Sequence, residues 1–154
     1  MKTRFQLNYL TKYNVKLIIN DDPLLALKLD ADGCHLGQKD MNIKIARKIL
    51  GKKIIGITCH NSMDLAKKAI KAKADYIAFG AFNQSKTKKT KYVASVEILN
   101  KVKKFTKTPT VAIGGINGVN YKNLLLNNAN FLAISSYIWK NKKYKPLQAI
   151  ERLK

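Results

Sequence analysis

Short β-branched runs alternate with helical patterns along the whole chain. The runs fall at residues 15–19, 33–36, 54–58, 76–79, 110–113 and 131–135. Helical patterns occupy 23–29, 42–50, 62–72, 94–105 and 120–127, and a last one runs over 146–153. Within them apolar residues recur at intervals of three and four, as Leu65, Ala66, Ala69 and Ile70 do, which gives each helix one apolar stripe. In the last helix Leu147, Ile150 and Leu153 share a face. Asn61-Ser62 and Asn117 stand where helix caps are expected.

Strand–helix–strand repetition predicts a parallel sheet with helices packed outside it. The strands are nearly continuous apolar runs, the pattern of strands covered on both faces. Polar residues collect just after them: Asn20-Asp21-Asp22, Gln38 and Asp40, Thr58 and His60, Ser85 to Lys88, Gly114-Gly115, and Ser135-Ser136. In parallel β/α folds the carboxyl ends of the strands form the ligand-binding face. The prediction is a TIM-type (β/α) barrel of six parallel strands, with residues 1–154 as one domain. A complete barrel of this type needs about 250 residues, so at 154 residues the chain reads as the greater part of one.

Composition changes this picture little. The formal charge is +21, from 30 Lys and Arg against 9 Asp and Glu. The basic residues are dispersed over most helices and form no arm or tail, so nucleic acid is not the expected partner. Cys34 and Cys59 sit in or beside apolar runs without a second cysteine at metal-ligand spacing, and they read as buried thiols of a reducing cytoplasm. No apolar stretch is long enough to span a bilayer and no leader pattern opens the chain.

The strand ends carry the candidate chemistry. Gly114-Gly115 lets backbone approach a ligand closely, and Ser135-Ser136 ends the last strand; together they suggest a phosphate site, although two ordinary turns would look the same. Asp21 and Asp40 close two consecutive strands, whose spacing of about 4.8 Å puts both carboxylates within reach of one cation. Helix capping by Asp21 or Asp22 ahead of Pro23 is the simpler alternative. Ser85, Thr87 and the neighbouring lysines form either an anion-gripping loop or a solvated basic one. His60 stands at a strand end where a general base could sit, while His35 lies within a strand and is read as packing or orienting a loop. Trp139 and Phe131 are read as packing residues.

The stretches IINDDPLLALKLDADGCHLGQKD, IIGITCHN, ADYIAFGAFNQSKTKKTK, TVAIGGI and NFLAISSYIW resemble the thiamine-phosphate synthase family. Thiazole tautomerases share the barrel and the GGI end, but as a class lack the paired metal aspartates. The resemblance implies a transferase of thiamine biosynthesis that joins hydroxymethylpyrimidine diphosphate to a thiazole phosphate and releases diphosphate. It implies Mg²⁺ on Asp21 and Asp40. It implies pyrimidine diphosphate contacts from Asn20, Thr58 and Lys88, with Lys88 stabilising the leaving group. It implies thiazole phosphate contacts from Ser85, Thr87, Gly115, Ile134 and Ser135. The family's barrel begins with two further strand–helix units, the second carrying a Gln–Arg–Lys cluster without counterpart here, and residues 1–14 read as the helix after it. The alternatives are a barrel fragment without catalysis, a phosphate-ligand binding module or a tautomerase-like protein. A second copy of the chain is a further expected partner, covering the open barrel.

Overall fold

The computed structural model describes residues 10, 12–83 and 92–154. Six strands, β1 (Ile18–Asn20), β2 (Gly33–Leu36), β3 (Ile54–His60), β4 (Tyr76–Gly80), β5 (Thr110–Ile113) and β6 (Phe131–Ala133), form one sheet in sequence order. Every pairing is parallel. The helices are α1 (Pro23–Lys28), α2 (Ile43–Leu50), α3 (Met63–Lys71), α4 (Glu97–Lys103), α5 (Tyr121–Leu126), α6 (Ser136–Trp139) and α7 (Pro146–Glu151). The predicted alternation is present, with α6 in addition. The expected helix before residue 14 falls largely outside the described residues.

Local chemistry sets the element ends. Asp22 caps α1 by accepting the Leu25 N–H at 3.0 Å, ahead of Pro23, which has no N–H of its own to satisfy. Asn42 accepts from Lys44 N, and Ser62 from Leu65 N, at the starts of α2 and α3. Asn117 instead closes a turn onto Val119 N and Asn120 N, four residues ahead of α5. Strand β1 starts later than its apolar pattern suggests. The Val15 N–H turns back to the Leu10 carbonyl, and the Leu17 N–H goes to the Asp32 carboxylate. Helix α4 also starts late, because Tyr92 and Ala94 exchange backbone hydrogen bonds with Ala81.

The core lies between the sheet and its helices. Cys34, Leu36, Ile55, Cys59, Ile77, Phe79 and Ala112 project toward the helices and are almost wholly buried. Ala46, Ala66, Ala69, Leu99, Val102 and Leu124 meet them from the other side. Leu65 and Ile70 flank Ala66 and Ala69 as the α3 stripe predicts. The other sheet face departs from the expectation of cover on both sides. Ile113 and Phe131 lie on it at 39% and 61% exposure, so the apolar strand pattern overstates burial within this chain. Trp139, at 71%, is likewise not a packing residue here. In α7 the buried residue is Ala149, while Leu147 and Ile150 are exposed and Leu153 packs on the core edge.

At the amino-terminal rim one device recurs. The residue just before β2, β4 and β6 is Asp32, Asp75 and Asn130. Each accepts a backbone N–H at the start of the preceding strand: Leu17 at 2.8 Å, Ile55 at 2.7 Å and Thr110 at 3.0 Å. Asp75 also holds Arg47 at 2.6 Å, and Asp32 holds Lys16 at 2.9 Å. Side chains thus tie one rim of the sheet, and the other rim is left for the site.

Candidate active site

The pairing register gathers polar residues into one row. Asn20 pairs with His35, His35 with Gly56, and Gly56 with Tyr76. Side chains in register point to the same face, so this row crosses β1 to β4 on the face away from the helices. Thr58 stands two residues above Gly56 on the same face. Gly56 has no side chain, and the Tyr76 ring occupies the space a Cβ would take. Tyr76 thereby reaches across β3 to His35, with its hydroxyl 2.9 Å from Nδ1. The other ring nitrogen, Nε2, lies 2.8 Å from Thr58 Oγ1. The Gln38 side-chain amide donates to the Thr58 carbonyl.

Beyond the row lie the carboxylates. Asp21 follows β1 directly, with φ +68°, a left-handed conformation that aspartate adopts more readily than most residues. Its N–H donates to the His35 carbonyl at 2.7 Å. Asp40 follows β2, and its Oδ2 accepts the Gly37 N–H at 2.6 Å. Burial first, and then the charges of Asp21, Asp22 and Asp40, push the Cys34 thiol up to about 11. Asp21 directly follows β1 and Asp40 lies four residues beyond β2, so both stand at the carboxyl end of this parallel strand pair. The α1 cap is Asp22 and not Asp21.

Gly114 and Gly115 both have positive φ, at +96° and +63°. A Cβ on either would strike Ala81 or Asn83. The Phe82 and Asn83 N–H groups bond to the Ile113 and Gly114 carbonyls. The close approach these glycines permit is to the neighbouring loop at Ala81 and Asn83. Asn120 turns its amide onto the Gly115 carbonyl at 3.0 Å. Ile134 packs on the core edge, and Ser135 is exposed at the start of α6, its side chain making no capping bond. Ser85, Thr87 and Lys88 lie outside the described residues.

Burial pushes the His35 imidazole below its ordinary value of 6.5, with the Asp40 charge opposing. Burial also lowers His60, whose ring stacks on Tyr92 with centroids 4.1 Å apart. The Tyr76 phenol is raised to about 12 by burial, with Cys34 adding to it, so it stays protonated near neutrality. Cys59 is raised to about 12 by burial, and both cysteines are free and buried, as their apolar surroundings predict. Tyr76 is the residue sequence reasoning missed. Its signal was the glycine opposite it, visible only once the register is known.

Among the described residues no group of three His, Cys, Asp or Glu side chains could hold a metal. Two hard carboxylates at adjacent strand ends nevertheless fit Mg²⁺, which commonly takes one or two carboxylates and completes its shell with substrate phosphates and water.

A parallel β/α sheet with its polar groups gathered at the carboxyl ends of its strands defines a domain of the (β/α)-barrel class. The profile of the family described as thiamine monophosphate synthase matches residues 6–138. A thiamine-phosphate synthase of Pelagibacter ubique is 68% identical over 143 residues, 93% of this chain and 69% of its own. One from Nitrosomonas eutropha is 43% identical, over 83% of this chain and 61% of its own. The solved thiamine phosphate pyrophosphorylase of Pyrococcus furiosus superposes with a TM-score of 0.84 at 32% identity, covering 94% of this chain and 68% of that one. The chain belongs to the thiamine monophosphate synthase family, and it spans between three fifths and seven tenths of these relatives' lengths.

Proposed function

We propose that this chain joins hydroxymethylpyrimidine diphosphate to a thiazole phosphate, giving thiamine phosphate and diphosphate. The observation that carries the reading is the rim of β1 to β3, where Asp21, Asp40, Asn20 and Thr58 stand at three adjacent strand ends. Membership of a family whose relatives are named for thiamine phosphate supports the substrate pair.

Asp21 and Asp40 would hold Mg²⁺ against the diphosphate. Bound there, the ion neutralises charge on the leaving group. Asn20 contacts the pyrimidine diphosphate, and the Thr58 hydroxyl bonds a diphosphate oxygen. Lys88 answers the charge that grows as the bond to the pyrimidine carbon breaks. The diphosphate departs with both bonding electrons, and the thiazole nitrogen lone pair forms the new bond to the pyrimidine methylene cation. The thiazole phosphate is held by Ser85, Thr87, Gly115, Ile134 and Ser135. Little proton transfer is required, so catalysis rests on positioning and charge. The stacked, low-pKa His60 takes no part. The reaction is placed in the cytoplasm, consistent with two free thiols.

The test mixes the protein with both substrates and Mg²⁺ and measures thiamine phosphate. The expected result is turnover that chelation abolishes, and that Asp40→Ala lowers about a hundredfold or more. Turnover that survives Asp40→Ala removes the metal role. No turnover from the folded protein removes the transferase reading in favour of a binding module.

A further inference from the structure

Tyr76 and His35 have no part in the reaction as outlined, yet hydrogen bonds of 2.9 and 2.8 Å join them to each other and to Thr58. Each bond can run in only one direction at a time. A neutral imidazole carries one hydrogen, so one nitrogen donates and the other accepts. If Thr58 donated to Nε2, its oxygen would face the substrate with lone pairs alone and repel an anion. If Nε2–H donates to Thr58 Oγ1, the Thr58 hydrogen is left to donate outward.

The partners decide the direction. A phenol is a far stronger acid than an aliphatic hydroxyl, and so a better donor to a ring nitrogen. Tyr76 is protonated near neutrality and faces Nδ1. Donation from Tyr76 to Nδ1 leaves the ring hydrogen on Nε2, and donors in series polarise one another. The ladder and the Gln38 amide already hold the Thr58 backbone, so the hydroxyl rotor is the remaining freedom.

We propose that Tyr76 and His35 are positioning residues that fix Thr58 as a hydrogen-bond donor toward an oxygen of the substrate diphosphate. The inference rests on the reading of Thr58 as a diphosphate contact. The direction of the hydrogen bonds, however, is observable without turnover.

The first measurement is the ¹⁵N spectrum of the full chain labelled at histidine, with His35 assigned by the signal lost in His35→Gln. The expected state is a neutral ring with its hydrogen on Nε2, shifting toward Nδ1 in Tyr76→Phe. A native ring with its hydrogen on Nδ1, or doubly protonated, overturns the proposal. The second measurement is kinetic. Losing one hydrogen bond to a charged group should lower kcat/KM for the pyrimidine diphosphate roughly tenfold to hundredfold in His35→Leu and Tyr76→Phe. KM for the thiazole phosphate should be unchanged. His35→Gln, whose amide N–H can stand near the Nε2 position, should retain most of the rate. In a Thr58→Val background the same substitutions should have no further effect, and additive losses there overturn the proposal. A protein that makes no thiamine phosphate would remove the proposed activity, while the tautomer measurement would still decide the direction of the chain.

Discussion

A Cβ added to Gly56 would lie 1.9 Å from Tyr76 Cζ. The ring could not stay over β3, and the bond to His35 would be lost with it. Gly56→Ala is therefore expected to destabilise the fold by about 1–3 kcal/mol through overpacking. It should also move the His35 ring toward its Tyr76→Phe state. Urea unfolding with the histidine ¹⁵N spectrum checks both, and an unperturbed midpoint would show that the ring yields freely. This position also shows what the sequence conceals. Asp21, Asp40 and Thr58 were legible because polar residues at strand ends are conspicuous in an apolar pattern. His35 lies inside β2 and Tyr76 opens β4, and a histidine or tyrosine there reads as packing. Their contact spans 41 residues and depends on a register that no local pattern encodes.

At the scale of the element, strands bounded by strong punctuation matched their sequence reading residue for residue. Strand β2 begins at Gly33, after Asp32, and ends at Leu36, ahead of Gly37; β5 lies between Pro109 and Gly114. Strand β1 did not match, because its first predicted residues bond to a distant side chain and to an upstream carbonyl. The rim device was present in the sequence as Ala-Asp or Ala-Asn at 31–32, 74–75 and 129–130. Its meaning needed the partner amides. Asp75→Ala leaves the Ile55 N–H without its acceptor and should cost about 1–3 kcal/mol. Asp75→Asn should cost less, since Asn130 serves Thr110 as a neutral amide. Denaturant midpoints of the two variants should fall in that order, and equal losses would assign the effect to the Arg47 ion pair alone.

At the scale of the molecule, charge and exposed surface oppose each other. The net charge of +21 favours the approach of anionic substrates. The same charge repels a second copy of the chain. At β5 and β6 the sheet face away from the helices carries the exposed apolar residues Ile113 and Phe131, and among the described residues β1 and β6 are edge strands that do not pair with each other. A second copy covering that face predicts a mass twice that of one chain by light scattering. The dimer fraction should rise with salt as repulsion is screened. Binding to a polyanion would show the opposite trend. A compact monomer at all salt concentrations rules out the dimer.

The rim anchors bind the strands in pairs: first with second, third with fourth, fifth with sixth. This divides the domain into three modules, each a two-strand unit with its own side-chain lock. Rearrangements of the gene should follow the same seams. A new terminus or an inserted segment in the connections from α2 to β3, or from α4 to β5, leaves each amide anchor whole, while at the first seam the Arg47–Asp75 and Lys53–Asp30 ion pairs cross the cut. A break inside a pair separates an anchor from the amide it holds. Circular permutants and recombined chimeras of this fold should therefore survive best when cut at every second strand.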